Sequence, residues 1–452
     1  MAILPGRLAS RISLLALLAA LAPSLVRAVP PGFSVTPVHT GLVAPNELDA
    51  FPVSFRFLPD GRLLYVELTG RVMVFDNDAD PTPSVWATIP TNALGDRGLL
   101  GMALHPAFPD SPFVYFYGTH PTLVNRITRY RDQGGVGVDP VIVRDNIIGN
   151  TTQHHGGRLA FGPDGYLWLT YGDQSNSPAA QNANDTRGKL LRFTSMGQDA
   201  PGNPFGGGAA VVMGVRNSFG ICFDPVTAEG YFSDNGDLCD DELNLIEVGA
   251  NYGWGPSLGC GDSWPGVAPI VLFSQTIVPT SCVVYRGPAP GLDGNLFLGA
   301  YGDGNLRRVY LSGGGAVVDS VGIFHHIEAP ILDVIIGNDG NLWFSTHDAI
   351  YRIDSPVVDV PTSTGTARRL RMAPNPFVGS VTLSLDGLGI ADRIEVLDLG
   401  GRRVRRWTPS HASTQWDGKD DSGRDVPPGL YRIRAFAEGG VSEGRLVRIG
   451  RR

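Results

Sequence analysis

Lysine is almost absent from this chain: only Lys189 and Lys419 occur among its 452 residues, so nearly all of its 36 basic residues are arginines. Any polyanion would have to be gripped by guanidinium groups, and nothing in their distribution points to nucleic acid. Charged residues are scarce at 18%, but 42% hydrophobic residues suffice for a core, which excludes wholesale disorder. Sustained helical periodicity is also missing, and no apolar run beyond residue 28 is long enough to span a bilayer as a helix. Cysteine is limited to Cys222, Cys239, Cys260 and Cys282, with no CxxC pair, which argues against zinc and thiol redox chemistry.

Glycine (59) and proline (35) are abundant, and short apolar runs alternate with Gly, Pro, Asn and Asp clusters, which reads as all-β. Residues 1–28 read as a secretory signal peptide. Arg7 and Arg11 precede the apolar stretch Ile12 to Leu21, and Val26-Arg27-Ala28 offers a cleavage site. The expected product is secreted, periplasmic or cell-surface, without a transmembrane segment. Export permits disulfides, and three pairings are open. Cys222–Cys239 and Cys260–Cys282 are favoured because each closes a short loop. Charge is uneven: +6 from Arg368 onward and −14 before it, the basic end reading as a solvated arginine-rich face.

One phrase recurs six times: an apolar residue, a turn with Asp, then an alternating strand. The turn aspartates are Asp60, Asp110, Asp164, Asp224, Asp293 and Asp339, spaced by 50, 54, 60, 69 and 46 residues. A period near fifty with short strands predicts a six-bladed β-propeller over 29–354. The longer intervals after Asp164 and Asp224 predict extended, function-bearing loops. Residues 355–369 read as a linker. About seven short strands in 370–452 predict a small immunoglobulin-like β-sandwich.

Four segments in order carry a family resemblance: "GDRGLLGMALHPAF" (95–108), "HHGGRLAFGPDGYLWLTYGD" (154–173), "GVRNSFGICFDP" (214–225) and "DDELNLIEVGANYGWG" (240–255). They resemble the soluble glucose/sorbosone dehydrogenases, six-bladed propellers using pyrroloquinoline quinone (PQQ). The resemblance covers about residues 35–354. "APNPF" (373–377), "DLGGRRV" (398–404) and "WDGKDDSGRDVPPGLYRIR" (416–434) resemble FlgD-type immunoglobulin-like domains, implying cell-surface or envelope attachment.

The resemblance implies oxidation of an aldose hydroxyl, with hydride passing to the quinone and His154 as the general base. An imidazole suits that role. Arg216 and Asn217 would stabilise the cofactor's carbonyl side. Arg158, Asp173, Asn235 and Asp241 are the further cofactor-side positions, Asp173 as a supporting partner behind the residues that touch the cofactor. Calcium is implied at Gly236 and Asp237, through backbone oxygens, and at Glu242 and Tyr252. The substrate would be a small sugar or glycan.

The tri-carboxylate cofactor calls for cations. The family's anchoring lysine and two arginines align here with Gly302, Pro330 and Leu332, leaving Arg97, Arg307, Arg308 or Lys189 to compensate. An alternative reading follows: a non-redox propeller binding a carbohydrate or a protein, like the Hedgehog-interacting-protein relatives. A calcium-stabilised adhesion module is a third. Taken alone, the residues leave His154 open between a strand cap and a base. His155 falls on the opposite face and reads as structural. Trp168, Trp254 and Trp343 read as core, and His325-His326 as surface.

Overall fold

The computed structural model describes residues 29–355, apart from 44–46, 48, 207 and 257–265, and most of 369–448, apart from 374–376, 387–390, 398–402, 412, 428 and 438–439. The signal-peptide reading and most of the expected linker therefore lie outside the described residues. The chain divides into two compact units, the first ending at Pro356 and the second beginning at Val357. Helix is limited, among the described residues, to the turn Ser177–Ala180 and a 3-10 turn at Gly313–Gly315, so the all-β expectation holds.

Among its described residues, the first unit contains six four-stranded antiparallel sheets, here I to VI in chain order. Each begins with a hairpin around one of the repeated aspartates. Sheet I opens with Pro52–Phe57 and Leu63–Glu67, sheet II with Leu99–Leu104 and Phe113–Thr119, and sheet III with Leu159–Phe161 and Leu167–Tyr171. Sheet IV opens with Gly220–Phe223 and Gly230–Asp234, sheet V with Pro279–Val284 and Leu296–Ala300, and sheet VI with Asp333–Ile336 and Leu342–Ser345. The turn aspartate accepts the backbone N–H two residues on at Asp60, Asp164, Asp224 and Asp339, which is why that residue recurs. Asp164 and Asp339 also take the indole N–H of Trp168 and Trp343.

The first strands of the six sheets touch in cyclic order, and that of sheet VI returns to that of sheet I. Sheet VI is completed by the N-terminal strand Ser34–Thr40, paired antiparallel with Ala349–Asp354, so both ends of the unit close one sheet. Second strands such as Leu63–Glu67, Leu167–Tyr171 and Leu296–Ala300 are buried throughout. Buried on both faces, they read as continuous apolar runs. Rim strands such as Val136–Ile148 are largely exposed.

Arg158 ties the centre together. Its guanidinium, 4% exposed, donates to Phe219 O (3.1 Å), Val53 O (3.4 Å), Thr280 O (3.2 Å) and Leu332 O (2.8 Å), and pairs with Asp333 at 3.2 Å. Those carbonyls lie at or just before the start of the first strands of sheets IV, I, V and VI. The beginnings of these strands therefore gather at one end of the ring. Burial penalises the Asp333 carboxylate, but Arg158, Arg56 and the hydroxyls of Ser281 and Ser54 overcome this and hold it down to about 2. A buried charge without such partners would be costly.

The favoured cysteine pairing is overturned. Cys222 and Cys282 are free and buried, Cys239 is disulfide-bonded, and Cys260 lies outside the described residues. Cys222 and Cys282 occupy the first strands of neighbouring sheets IV and V; burial and the adjacent Cys282 thiol push the Cys222 thiol up. Loop length misled here because a repeat brings residues one period apart side by side. His325 is also buried rather than surface.

Among its described residues, the second unit has seven strands in two antiparallel sheets. One comprises Arg369–Ala373, Val381–Asp386 and Ser413–Trp416; the other comprises Arg403–Trp407, Arg393–Leu397, Gly429–Ala437 and Gly440–Arg448. Its own core includes Ile394, Val396, Trp416 and Ile433.

Candidate active site

At the end of the ring where the first strands begin, the segment leading into sheet III turns back on itself. His154 has φ +59°, a left-handed conformation that side chains rarely adopt and that costs energy unless the surroundings impose it. They do: Asp96 Oδ2 accepts its backbone N–H at 2.8 Å, and its carbonyl accepts from Gln174 Nε2 at 2.9 Å. The two glycines that follow are sterically required. A Cβ on Gly156 would lie 2.7 Å from Thr170 O, and one on Gly157 would lie 2.6 Å from the Leu100 Cβ. The same crowding explains Gly172, where a Cβ would sit 2.2 Å from His154 O. The His-His-Gly-Gly-Arg segment thus presses His154 against the end of the second strand, beside Asp173.

His154 Nδ1 meets Asp173 Oδ1 at 2.6 Å. A carboxylate there fixes the tautomer with the proton on Nδ1, leaving Nε2 as a free lone pair. Asp173 is 1% exposed, and its other oxygen accepts from Trp254 Nε1 at 2.7 Å. His155 points the other way. It is fully buried, against Thr119, Asn125 and the carbonyl of Thr151, and burial draws it down to about 4.

Sheet IV supplies the opposing groups. Asp234 accepts the backbone N–H of Arg216 (2.8 Å) and of Asn217 (2.7 Å), fixing the approach to the strand. Asn217 Oδ1 accepts from Gly156 N at 3.1 Å, joining this segment to the histidine loop. The Arg216 guanidinium donates to Asn235 O (3.1 Å) and Asp237 Oδ1 (2.9 Å) and lies 5.3 Å from the centre of the Trp254 ring. Its Nε is buried without a partner, as is Asn235 Oδ1. Unpartnered buried polar atoms are uncommon in folded proteins, and these two could meet a polar ligand.

The expected residues separate into two groups. His154, Asp173, Arg216, Asn217 and Asn235 come together. Arg158 does not: its guanidinium is spent on the carbonyls at the centre of the ring. Nor does Asp241, whose oxygens accept backbone N–H groups from Gly236 (2.8 Å), Ile277 (2.6 Å) and Val278 (2.7 Å) and so tie sheet IV to sheet V. Both roles depend on partners distant in sequence. Trp254, expected in the core, is instead half-buried at the site; the motif containing it was visible, its direction was not. Asp96 was missed for the same reason.

Glu242 faces Asp234 across adjacent strands. Its carboxylate accepts from Asn244 Nδ2 at 3.0 Å, and burial pushes it up to about 7, with Asp240 and Asp241 adding to the effect. Asp234 is pushed well up by burial and by Glu242. Among the described residues no group of three or more His, Cys, Asp or Glu side chains stands at metal-binding spacing. The Tyr252 hydroxyl accepts Glu247 N at 2.9 Å and donates to the carbonyl of Leu245.

Across the ring, the same end is different. Phe51, just before the first strand of sheet I, and Tyr301 and His347, just after the second strands of sheets V and VI, form an aromatic cluster. The centroids are 4.4 Å apart for Phe51 and His347 and 5.5 Å for Tyr301 and His347. Tyr301 is 42% exposed, and His347 Nε2 is buried without a partner. Gly302, Pro330 and Leu332 belong to this side. The cations suggested as substitutes are engaged. Arg97 holds Thr151 O (2.6 Å) and Asn150 O (2.8 Å), and Arg307 pairs with Asp303. Arg308 holds Gly291 O and lies over Tyr310. Lys189 donates to Ala179 O and Ala180 O at 2.9 Å and to Arg187 O at 2.7 Å.

The glucose/sorbosone dehydrogenase family model matches residues 49–353. A Synechocystis protein of uncharacterised role is 29% identical over 71% of this chain and 86% of its own length. An aldose sugar dehydrogenase of Escherichia coli is 26% identical over 68% of this chain and 90% of its own. Among solved structures, an oxidoreductase described as a glucose dehydrogenase from Thermus thermophilus is 33% identical, with TM-score 0.64, over 72% of this chain and all of that one. The PQQ-bound aldose sugar dehydrogenase of Streptomyces coelicolor is 27% identical, with TM-score 0.62, over 72% of this chain and 99% of that one.

Proposed function

Since the chain belongs to the glucose/sorbosone dehydrogenase family, we propose that it is an exported aldose dehydrogenase, its six sheets forming a six-bladed propeller and His154 acting as the base. The observation that carries this reading is the His154–Asp173 pair at 2.6 Å, with the unpartnered Arg216 Nε and Asn235 Oδ1 on the neighbouring sheet.

The donor set fits the carbonyl side of a quinone. Arg216 would hold an oxygen that gains negative charge, with Asn217 and Asn235 beside it. When bound, such a quinone supplies the electrophile that accepts hydride. His154 Nε2 takes the proton of the sugar hydroxyl, while Asp173 keeps the ring oriented and stabilises the imidazolium that forms. The buried Glu242 carboxylate suits a structural calcium together with the backbone oxygen of Tyr252, and the backbone oxygens of Gly236 and Asp237 would serve an ion beside the cofactor. The second unit is read as an immunoglobulin-like sandwich of the FlgD type that attaches the enzyme to the envelope.

A second reading rests on the opposite side of the ring. There the cations expected to hold the cofactor's carboxylates are replaced or engaged elsewhere, which favours a propeller that binds a sugar or protein without a quinone. Titration separates the two. Purified protein with calcium is mixed with PQQ, and quinone absorbance and aldose-dependent dye reduction are followed. The dehydrogenase reading expects quinone uptake at low micromolar concentration and a His154→Ala variant that still takes up quinone but turns over about 10²–10⁴-fold more slowly. Absence of uptake leaves only the binding propeller.

A further inference from the structure

The carboxylate of Asp173 is held at both oxygens. Oδ1 accepts from His154 Nδ1 at 2.6 Å and from the backbone N–H of Ser175 at 2.8 Å, and Oδ2 accepts from Trp254 Nε1 at 2.7 Å. The torsion that turns a carboxylate about its Cβ–Cγ bond is soft, so an oxygen held on one side alone does not fix its plane. Trp254 provides the second point. It is itself fixed: its backbone N–H donates to Gly214 O at 3.0 Å, and its carbonyl accepts from Gln181 Nε2 at 2.6 Å. The Arg216 guanidinium lies 5.3 Å from the centre of the same ring, within reach of a cation–π contact. One side chain thus touches both the partner of the base and the cation that opposes it.

We infer that Trp254 is a positioning residue of this site, resting on the reading of His154 as base: its N–H fixes the plane of Asp173, which aims His154 Nε2, and its ring seats Arg216. Loss of the N–H alone leaves Asp173 Oδ2 without its donor in a buried place, and the carboxylate turns to find another. The imidazole follows, while the ring face under Arg216 survives. Trp254→Phe makes that separation.

Two measurements test it. Full-length protein labelled with ¹⁵N in the indole rings has only seven tryptophans, so each N–H signal can be identified by substitution. The signal lost in Trp254→Phe should move in Asp173→Asn and stay in place in Asp339→Asn, which should instead move the signal of Trp343. In turnover, Trp254→Phe should lower kcat about tenfold at unchanged KM, and should add little further loss to an enzyme that already carries Asp173→Asn. A Trp254 signal indifferent to Asp173→Asn, or a Trp254→Phe enzyme with the parent kcat, overturns the inference. If the parent protein oxidises no aldose, the function reading fails alone, and the indole signal still decides whether Trp254 holds Asp173.

Discussion

The end of the ring where the first strands begin has two unlike sides. On sheets III and IV, the His154 and Arg216-Asn217 segments are tied by side chains from elsewhere, and His154 is held at φ +59° with its imidazole against Asp173. On sheets I, V and VI the corresponding positions carry Phe51, Tyr301 and His347, neutral rings in mutual contact, beside Gly302 and Leu332. On the proposed reading the first side transfers the proton. The second lacks free cations among the described residues and offers aromatic surface instead. On that same reading, a scaffold of equivalent sheets keeps one half of a site while the other takes on different chemistry, because the two sides draw their residues from separate loops.

Arg158 is what both sides share, and removing it should have the largest effect. Arg158→Met leaves Asp333 buried opposite Arg56 alone and five carbonyl and carboxylate contacts unmade. A loss of about 3–5 kcal/mol is expected, read as a large drop in Tm of the first unit. A near-normal Tm would mean that the two sides do not depend on the centre.

Restoring a cation to the neutral side should sharpen the contrast next. Pro330 is only half-buried, so Pro330→Arg can present a guanidinium there without displacing core. PQQ affinity in a titration should rise about tenfold or more, one charge-assisted hydrogen bond being worth that much. An unchanged affinity would show that this side never faces the carboxylates.

The smallest effect concerns pH. Burial draws His155, behind the base, and His39, in sheet VI, from 6.5 down to about 4. Between those values the unfolded chain binds more protons than the folded one, so stability falls as the pH drops from 6.5 to 4. Asp333 extends the loss below 3.8 toward about 2. His155→Gln should flatten the slope of Tm against pH in the upper window while leaving the Asp333 limb intact; an unaltered slope would place the acid sensitivity elsewhere.

Much of the fold was legible because turn chemistry is local. A turn aspartate leaves the same mark six times, capping its own hairpin two residues on at four of them, and the six marks lie in the first hairpins of sheets I to VI. The histidine loop was legible for a similar reason, since His-His-Gly-Gly carries the steric demand of a strained turn. Trp254 and Trp168 could not be told apart, as both are tryptophans beside an aspartate-bearing strand; only the packing sends one to a turn and the other to Asp173.

The sequence by itself determined the all-β class, the sixfold repeat, the hairpins and the positions of the histidine and the Arg-Asn pair, because these follow from backbone geometry within a few residues. Tertiary structure decided the rest. It turned Arg158 inward, left Cys222 beside Cys282, engaged the remaining cations and brought Trp254 under Arg216. Those outcomes depend on which side chains meet after the ring closes, and closure joins residues that lie far apart along the chain.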